Sequence, residues 1–475
     1  MFTMDQFIGA NAFVDDPIHK LKAVGFIREY HDWEWNERGI DYKGYPNNKI
    51  TWTPEDWNFD TFYQNINDAG LAISPCIQGN VKWLNLGINK NSEKPVDEAT
   101  SKPDLPNSYK KKSHFMYQFA ARYGSTTVAD DKLTLADGQK RTSGLNLVQY
   151  LEDWNEQDRD WDGKKSSFTA EEYAAMASAN YDGHCNTLKT GTETFGIKNA
   201  DPKIKFVLGG LAYLNLDYII KLKTWFEQNR ADKKFAGDVI NFHVYAWKTK
   251  RGWEGGGPAI SPEQSMFKER LEEITQYRNK HLPGVEVWVS EFGWDTNQGS
   301  PLAPPVIKSF DIQEIQAQWL VRGYLAFSAA GVDRAQMYMF RDVDGTSKEW
   351  FASCGLVGPK GDWTPKKSWY YVYTLKNTLK DMVFDGEKPS GNPNILIYKF
   401  KDAGTQKQVY AVWARTSSAY NIKGFKILLK DKFSKAELIS LIPGKTNGQT
   451  SALVIKDNIV TLNVSERPVF IKLDK

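Results

Sequence analysis

From residue 7 to about residue 382, short apolar runs alternate with amphipathic stretches. Eight of the runs, 7–13, 25–30, 71–77, 145–151, 205–210, 239–246, 285–290 and 334–340, have the length and the β-branched or aromatic content of strands. The period is plain in 285–290, where Val285, Val287 and Val289 alternate with Glu286, Trp288 and Ser290. Between most of these runs apolar positions recur at helical spacing, as in 171–184, 216–230, 262–281 and 312–330, and a last helical stretch covers 367–382. Strand and helix in alternation build parallel βα units, and eight such units close a barrel. The expected fold is therefore of the α/β class, with residues 1–383 forming a (β/α)8 TIM barrel.

After Met382 the helical period disappears. Runs at 395–401, 408–415, 425–429, 436–442, 452–456 and 459–464 are short and alternating, and Asp457-Asn458 has the composition of a tight hairpin turn. Residues 384–475 thus read as an antiparallel β-sandwich. Few aromatics stand out there beyond Trp413 and Tyr420, which favours a buttress packed on the barrel over a carbohydrate-binding module.

Insertions fall unevenly. The segments after the second, third and fourth strands, 33–55, 78–112 and 157–168, are long and carry Trp35, Trp52, Trp83 and Trp161. Loops that follow barrel strands gather on the face that carries chemistry, so these segments are expected to wall a cleft for an extended ligand. Composition sharpens the picture. A chain of 475 residues exceeds the usual limit for one core. A hydrophobic share of 41% with 25% charged residues is ordinary for a globular protein, but 13% aromatic content with 17 tryptophans is not. Tryptophans in loops suit stacking on sugar rings. A net charge of +3, with both signs interspersed, gives no reason to expect nucleic acid or an anionic membrane as partner. Cys76, Cys185 and Cys354 are too few and too scattered for a disulfide framework. No apolar run is long enough to span a membrane. The start, MFTMDQFIGA, lacks the regions of a signal peptide. With a leader removed, a secreted, periplasmic or cell-surface protein is expected, and a monomer.

Two strand ends carry candidate chemistry. In GVEVWVSEFGWDT, residues 284–296, a strand delivers Glu291 into Phe292-Gly293-Trp294, where glycine permits a tight turn and the aromatics exclude water. In GLNLVQYLEDWNEQD, residues 144–158, another strand runs into Trp154-Asn155-Glu156. An acid just past a strand often serves the next helix N-terminus, but two such acids set among tryptophans ask for one explanation. Cleavage of a glycosidic bond needs one carboxyl group to protonate the leaving oxygen and another to attack or stabilise the anomeric carbon. The fourth and seventh strands lie on opposite sides of an eight-stranded mouth, so Glu156 and Glu291 can face each other. Arg28 on the second strand, and His243 with Tyr245 two residues apart on the sixth, bring further polar side chains to the interior. An inward arginine keeps a carboxylate ionised, and a tyrosine can hold one of its oxygens. The bland alternatives are a structural salt bridge for Arg28 and a satisfied core histidine for His243.

Asn-Glu after the fourth strand, Glu after the seventh, Arg on the second and His-x-Tyr on the sixth resemble the retaining glycoside hydrolases of clan A. The resemblance covers the barrel and not the tail. It implies Glu156 as acid/base, Asn155 as the group binding the sugar 2-hydroxyl, and Glu291 as nucleophile. One departure stands out. Many members place a tryptophan at the end of the eighth strand beneath the cleaved sugar, whereas this chain reads MYMFRDVDG, so Tyr338, Phe340 or Arg341 is expected to substitute.

Among the tryptophans, Trp33, Trp83 and Trp161 are expected at the substrate, while Trp294 and Trp247 suit either the core or a sugar platform. Glu152 and Asp153 compete with Glu156 as acids of the fourth strand. Asp158, Asp160, Asp162 and Gly163 imitate the first half of a calcium loop, but Thr169 at its twelfth position cannot supply the bidentate carboxylate. The six histidines form no metal-binding pair, and Gly255-Gly256-Gly257 precedes a proline, so neither a metal nor another cofactor is expected. The expected partner is a neutral polysaccharide or oligosaccharide, with internal cleavage of a β-glucan preferred. Lys82, Arg159, Lys164, Lys248, Lys250 and Arg251 near the loops leave room for an acidic glycan. The rival readings are a non-catalytic glycan-binding protein on the same scaffold, an exo-acting β-glycosidase, and a metal-dependent barrel hydrolase.

Overall fold

The computed structural model describes the whole chain except residues 1, 38–56, 86, 89, 98–101, 136–139, 249–257, 309, 403 and 406. Trp52, Lys250, Arg251 and the three-glycine run 255–257 therefore lie outside the described residues.

Eight parallel strands close a barrel: β1 (Ile8–Ala12), β2 (Phe26–Asp32), β3 (Ala72–Gln78), β4 (Tyr150–Asn155), β5 (Lys205–Gly210), β6 (Val239–His243), β7 (Glu286–Glu291) and β8 (Arg334–Met337). Pairing of Ile8 with Ala335 joins the ends of the sheet. Because successive side chains alternate across a strand, each strand contributes to a ladder of interior layers. At the bottom Phe26, Tyr150, Val207, Val239 and Trp288 form a separate apolar cluster. One layer higher the interior turns polar, with Arg28, Glu152 and Asn241 all buried. The mouth carries Tyr30, Asn155, His243 and Glu291. A barrel sealed below by aromatic rings and polar above has its chemistry on one end only.

The helices start where the sequence supplies caps. Thr169 and Glu172 form a reciprocal capping box at the helix Ala170–Asn186, and the side chains of Asn215 and Asp311 cap Leu216–Asn229 and Ile312–Ala329.

Four elements differ most from the sequence expectation. The fourth strand begins at Tyr150 rather than 145, because Leu145, Leu147 and Val148 donate their N–H groups to the carbonyls of Arg122 and Tyr123, at the end of the helix Lys110–Tyr123. That apolar run caps a helix and does not enter the sheet. The sixth and eighth strands stop at His243 and Met337, short of 246 and 340. The last barrel helix ends at Thr378, and Met382 opens a strand.

That strand, β9 (Met382–Glu387), is the edge of an antiparallel sheet completed by β10 (Ile395–Asp402), β11 (Gln408–Ala414), β13 (Lys435–Ser440), β14 (Gln449–Leu453) and β17 (Val469–Asp474). A second sheet holds β12 (Asn421–Leu428), β15 (Ile455–Lys456) and β16 (Ile459–Ser465). Asp457 and Asn458 both have positive φ, 52° and 60°, as the two-residue hairpin between β15 and β16 requires. Ile395, Ile397, Val412 and Ile471 of the larger sheet pack with Phe425, Val460 and Leu462 of the smaller one. Tyr398, Phe400, Trp413 and Phe470 on its other face join the barrel's own core.

Polar bonds fasten this junction. Arg322 pairs with Glu263 through two nitrogens, Trp413 donates to the same carboxylate at 2.8 Å, and Arg467 reaches Glu314 at 2.7 Å. Trp413 is thus fully buried between the two units, as a buttress requires and a sugar platform does not. No helix among the described residues is long and apolar enough to cross a membrane.

Candidate active site

Arg28 organises the mouth. Its guanidinium is fully buried and uses every nitrogen: Nε and Nη2 hold Glu152 at 2.7 and 2.9 Å, Nη1 reaches Asn11, Tyr30 and Glu291 at 2.9, 3.0 and 3.0 Å, and Nη2 also donates to Asn155 at 2.8 Å. One side chain on β2 therefore ties β1, β4 and β7 together. Glu152 also accepts from Asn241 and the Gly210 N–H. It is a structural counter-ion beneath the site, which removes it from the competition with Glu156. Asp153 is removed too. It points out of the barrel to Asn180, and burial raises its carboxyl to about 6 against the pull of Lys112 and Asn180.

Glu291 ends β7 at the centre of the mouth. Its Oε1 accepts from Arg28 and Tyr30 and lies 3.4 Å from His243 Nε2, while its Oε2 accepts from Tyr245 at 3.0 Å. Burial, and then the charge of Glu291, push both phenols well above the ordinary tyrosine value, so they remain protonated donors. Across the mouth, Glu156 Oε1 lies 3.0 Å from His243 Nδ1. Carboxylate oxygens of Glu156 and Glu291 and a ring nitrogen of His243 all fall within 4.8 Å of one another. That bound on one oxygen of each carboxyl group is compatible with carboxyl groups about 5–5.5 Å apart. Burial lowers the basicity of His243, but the charge of Glu291 and the bond to Glu156 outweigh it, so the imidazole holds its proton more tightly than usual. Burial works to raise Glu156, and the hydrogen bond and charge of His243, aided by Arg159 and Arg28, bring it below the ordinary range.

Local backbone features make this possible. Trp154 and Glu156 have positive φ, 87° and 49°, conformations costly for side chains of this size. The turn at Trp154 resets the alternation, so that Glu152 and Asn155, three residues apart, both face Arg28. At the end of β5, a Cβ on Gly210 would stand 2.4 Å from His243 Nε2, so only glycine leaves the imidazole its place. Gly293 serves by close approach as well: a Cβ there would lie 2.5 Å from the Tyr338 carbonyl oxygen, and its φ is not the positive one of a glycine turn.

Beside Glu156 opens a cleft of about 460 Å³ lined by Trp161, Ala212, Tyr213, Tyr245, Trp247, Trp350 and Phe351. Trp161 and Trp247 both line it, the first 44% exposed and the second 9%. Four other assignments change. Trp294 is fully buried, packs against Phe267, Phe292 and Trp319 and donates to the Ile260 carbonyl, so it belongs to the core. Trp33 is also fully buried, stacked on Phe115 and bonded to Glu37. Trp83 packs edge-on against Trp33 and donates to the Glu37 carbonyl, away from this cleft. Arg341 pairs with Asp15 and Asp16 and covers the Phe13 and Trp363 rings, which holds it off Glu156 and Glu291. Of the three candidates at the end of β8, Phe340 is buried and Tyr338 faces the site, edge-on to Tyr30 and Phe351.

The sequence reading missed Asn11, Tyr30, Tyr213, Trp350 and Phe351. Tyr30 carried a signal, since it lies two residues after Arg28 on the same strand face. The others come from strand ends and loops with no period to mark them.

Glu156, His243 and Glu291 form one possible ligand set for a cation, although donors from Arg28, Tyr30 and Tyr245 already engage Glu291. Asp182, Cys185 and Asp232 form another, with Arg230 neutralising both carboxylates. In the loop that imitates a calcium site, Asp158 accepts from the Ala212 N–H and Asp162 from Lys90 and Ser92, so the protein supplies its own donors there.

No family model and no curated protein matches the chain. Its fold does match solved structures. A family 39 glycoside hydrolase from the gut symbiont Bacteroides cellulosilyticus WH2 is 15% identical, with a TM-score of 0.64 over 100% of this chain and 82% of that one. A family 30 endoxylanase from Clostridium papyrosolvens C71 is 10% identical, with a TM-score of 0.57 over 99% and 96%. A family 51 α-L-arabinofuranosidase from Bifidobacterium longum is 13% identical, with a TM-score of 0.56 over 99% and 97%. The shared property is the fold, a (β/α)8 barrel followed by β-sheets, along nearly the whole chain.

Proposed function

We propose that this protein is a retaining glycoside hydrolase that cleaves a neutral β-linked polysaccharide. The observation that carries the reading is the facing of Glu156 and Glu291 across the mouth, with oxygens within 4.8 Å and each carboxylate held by its own set of donors. In the first step the freer oxygen of Glu291, Oε2, attacks the anomeric carbon as the glycosidic C–O bond breaks, and the departing oxygen receives, through Glu156, the proton that the Glu156–His243 pair shares at 3.0 Å. Arg28, Tyr30 and Tyr245 donate to Glu291 and align it for that attack. The ester formed at Glu291 removes the charge that most strongly holds the proton on His243. In the second step the Glu156 carboxylate takes a proton from water, the water oxygen bonds to the anomeric carbon, and Glu291 leaves as carboxylate.

The preferred substrate is a β-glucan or a xylan, both of which present flat sugar faces to aromatic rings. Xylan enters because structures of similar fold include endoxylanases. Internal cleavage is the first reading. Exo-action is the second, because among the described residues Trp33 is fully buried and Trp83 packs edge-on against it. The test is a panel of β-glucans, xylans, mannans and galactans, followed by proton NMR of the first anomer released. Early mixed oligosaccharides with a β-anomer support the reading. An α-anomer released first overturns retention, monosaccharide alone overturns internal cleavage, and inertness on every polymer overturns the reading as a whole.

A further inference from the structure

We propose that the aromatic cleft beside Glu156 is the leaving-group side of the site, and that Trp161, Tyr213, Trp247 and Trp350 bind a neutral sugar unit there by stacking. The inference rests on the hydrolase reading above and adds a direction and a chemical class to it. Direction comes from the carboxylates. Glu156 borders the cleft, whereas Glu291 and Arg28 do not. The acid that protonates the departing oxygen stands next to the leaving group, so what lies beyond Glu156 is the part of the substrate that leaves first.

The chemical class comes from the walls. Among the described residues, six of the eight that line the cleft are aromatic, one is alanine, and the charged one is Glu156 itself. No lysine or arginine among them offers a partner to a uronate or a sulfate, while aromatic faces suit the C–H face of a neutral pyranose. The rings come from four separate loops, after β4, β5, β6 and β8, and converge in two pairs. Trp161 meets Tyr213 edge-on at 6.1 Å, and Trp247 lies against Trp350 at 5.4 Å. Trp161, 44% exposed, stands at the edge of the cleft. On the β2 and β3 side, by contrast, Trp33 and Trp83 are used in packing.

The test compares substrates that do and do not fill the cleft. Xylopentaose and cellopentaose present a sugar leaving group, whereas β-xylobiosyl and β-cellobiosyl fluoride present only fluoride. For Trp161→Ala and Trp350→Ala, the ratio of kcat/KM on the pentaose to kcat/KM on the matching fluoride should fall about tenfold or more. Trp161→Phe, which keeps a stacking face, should recover most of that ratio. Because Trp161 is largely exposed, its variants should unfold at wild-type temperature. An unchanged ratio in variants of an active enzyme overturns the direction while leaving the hydrolase reading intact. A wild-type protein that releases no fluoride and shortens neither pentaose overturns both. Competitive inhibition by glucuronic acid-bearing xylooligosaccharides as strong as by xylotriose, lost in Trp161→Ala, overturns the assignment to a neutral unit.

Discussion

Replacing Arg28 with methionine separates two tasks of one guanidinium. Two of its nitrogens clamp Glu152 at 2.7 and 2.9 Å inside the barrel, and a third reaches Glu291 at 3.0 Å. Both members of the lower pair are fully buried. Without the cation, Glu152 keeps only the Asn241 amide at 3.0 Å and the Gly210 N–H at 3.1 Å. Breaking such a pair from one side costs about 3–5 kcal/mol, because it strands a charge away from water. Adding Glu152→Gln removes that charge and keeps an oxygen for Asn241 and Gly210, so most of the lost stability should return, with a coupling of about 2–3 kcal/mol in the double-mutant cycle. Turnover should not return with it. Glu291 will have lost one of its anchors, and a carboxylate misplaced by about 1 Å costs on the order of 10²-fold in rate. The assay is urea unfolding, read by tryptophan fluorescence, of wild type, R28M, E152Q and R28M/E152Q, together with kcat/KM on whichever of xylan or β-glucan the wild type hydrolyses. A double variant that regains both stability and turnover would refute the role given to Arg28 at Glu291. One that regains neither would refute the Glu152 pair as the reason for the loss.

Three further outcomes are expected. Glu291→Gln should abolish turnover with the unfolding curve unchanged, since only an ionised carboxylate can form the glycosyl ester; near wild-type rates would remove it from the mechanism. Glu156→Ala should retain more activity on aryl glycosides with acidic leaving groups than on polymer, and added azide should raise its rate and yield a β-glycosyl azide; equal losses on both substrates with no azide effect would exclude Glu156 as the acid. Lys112→Met should stabilise the protein at pH 7, by at most about 3 kcal/mol, because burial among Trp33, Phe115 and Trp154 lowers the amine to about 8 while the unfolded chain holds its proton up to about 10.5. The unfolded state binds the extra proton between those values, so wild-type stability rises with pH across that window and the advantage of the variant disappears above it; an advantage that stays constant from pH 7 to 11 would show that the lysine is not buried as a charge.

What could be read from the sequence, and what could not, divides along the backbone. Where period two holds, as in β2 and β6, the interior faces follow from the residues, and Arg28 and His243 were found on their strands; in β7 Trp288 and Glu291, three residues apart, both reach the interior, because the pairing with β6 skips Ser290. The tryptophans were harder, because loop position says nothing of burial. Trp33 and Trp161 both follow barrel strands, yet one is fully buried against Phe115 and the other is 44% exposed. β4 shows the deeper difficulty. Alternation counted from Tyr150 puts Glu152, Trp154 and Glu156 on one face and Asn155 on the other, but the positive φ at Trp154 moves Asn155 to the interior beside Glu152. The positive φ at Glu156 then turns the last acid over the mouth, to the imidazole that Gly210 leaves room for. A strained pair of backbone angles is held there because Arg28 grips Asn155, the Glu156 N–H donates to the Gly210 carbonyl at 2.9 Å, and Trp154 is locked among Phe168 and Lys112. The dipeptide Asn-Glu singles out Glu156, but its place at the mouth depends on a departure from strand geometry that no periodic pattern records.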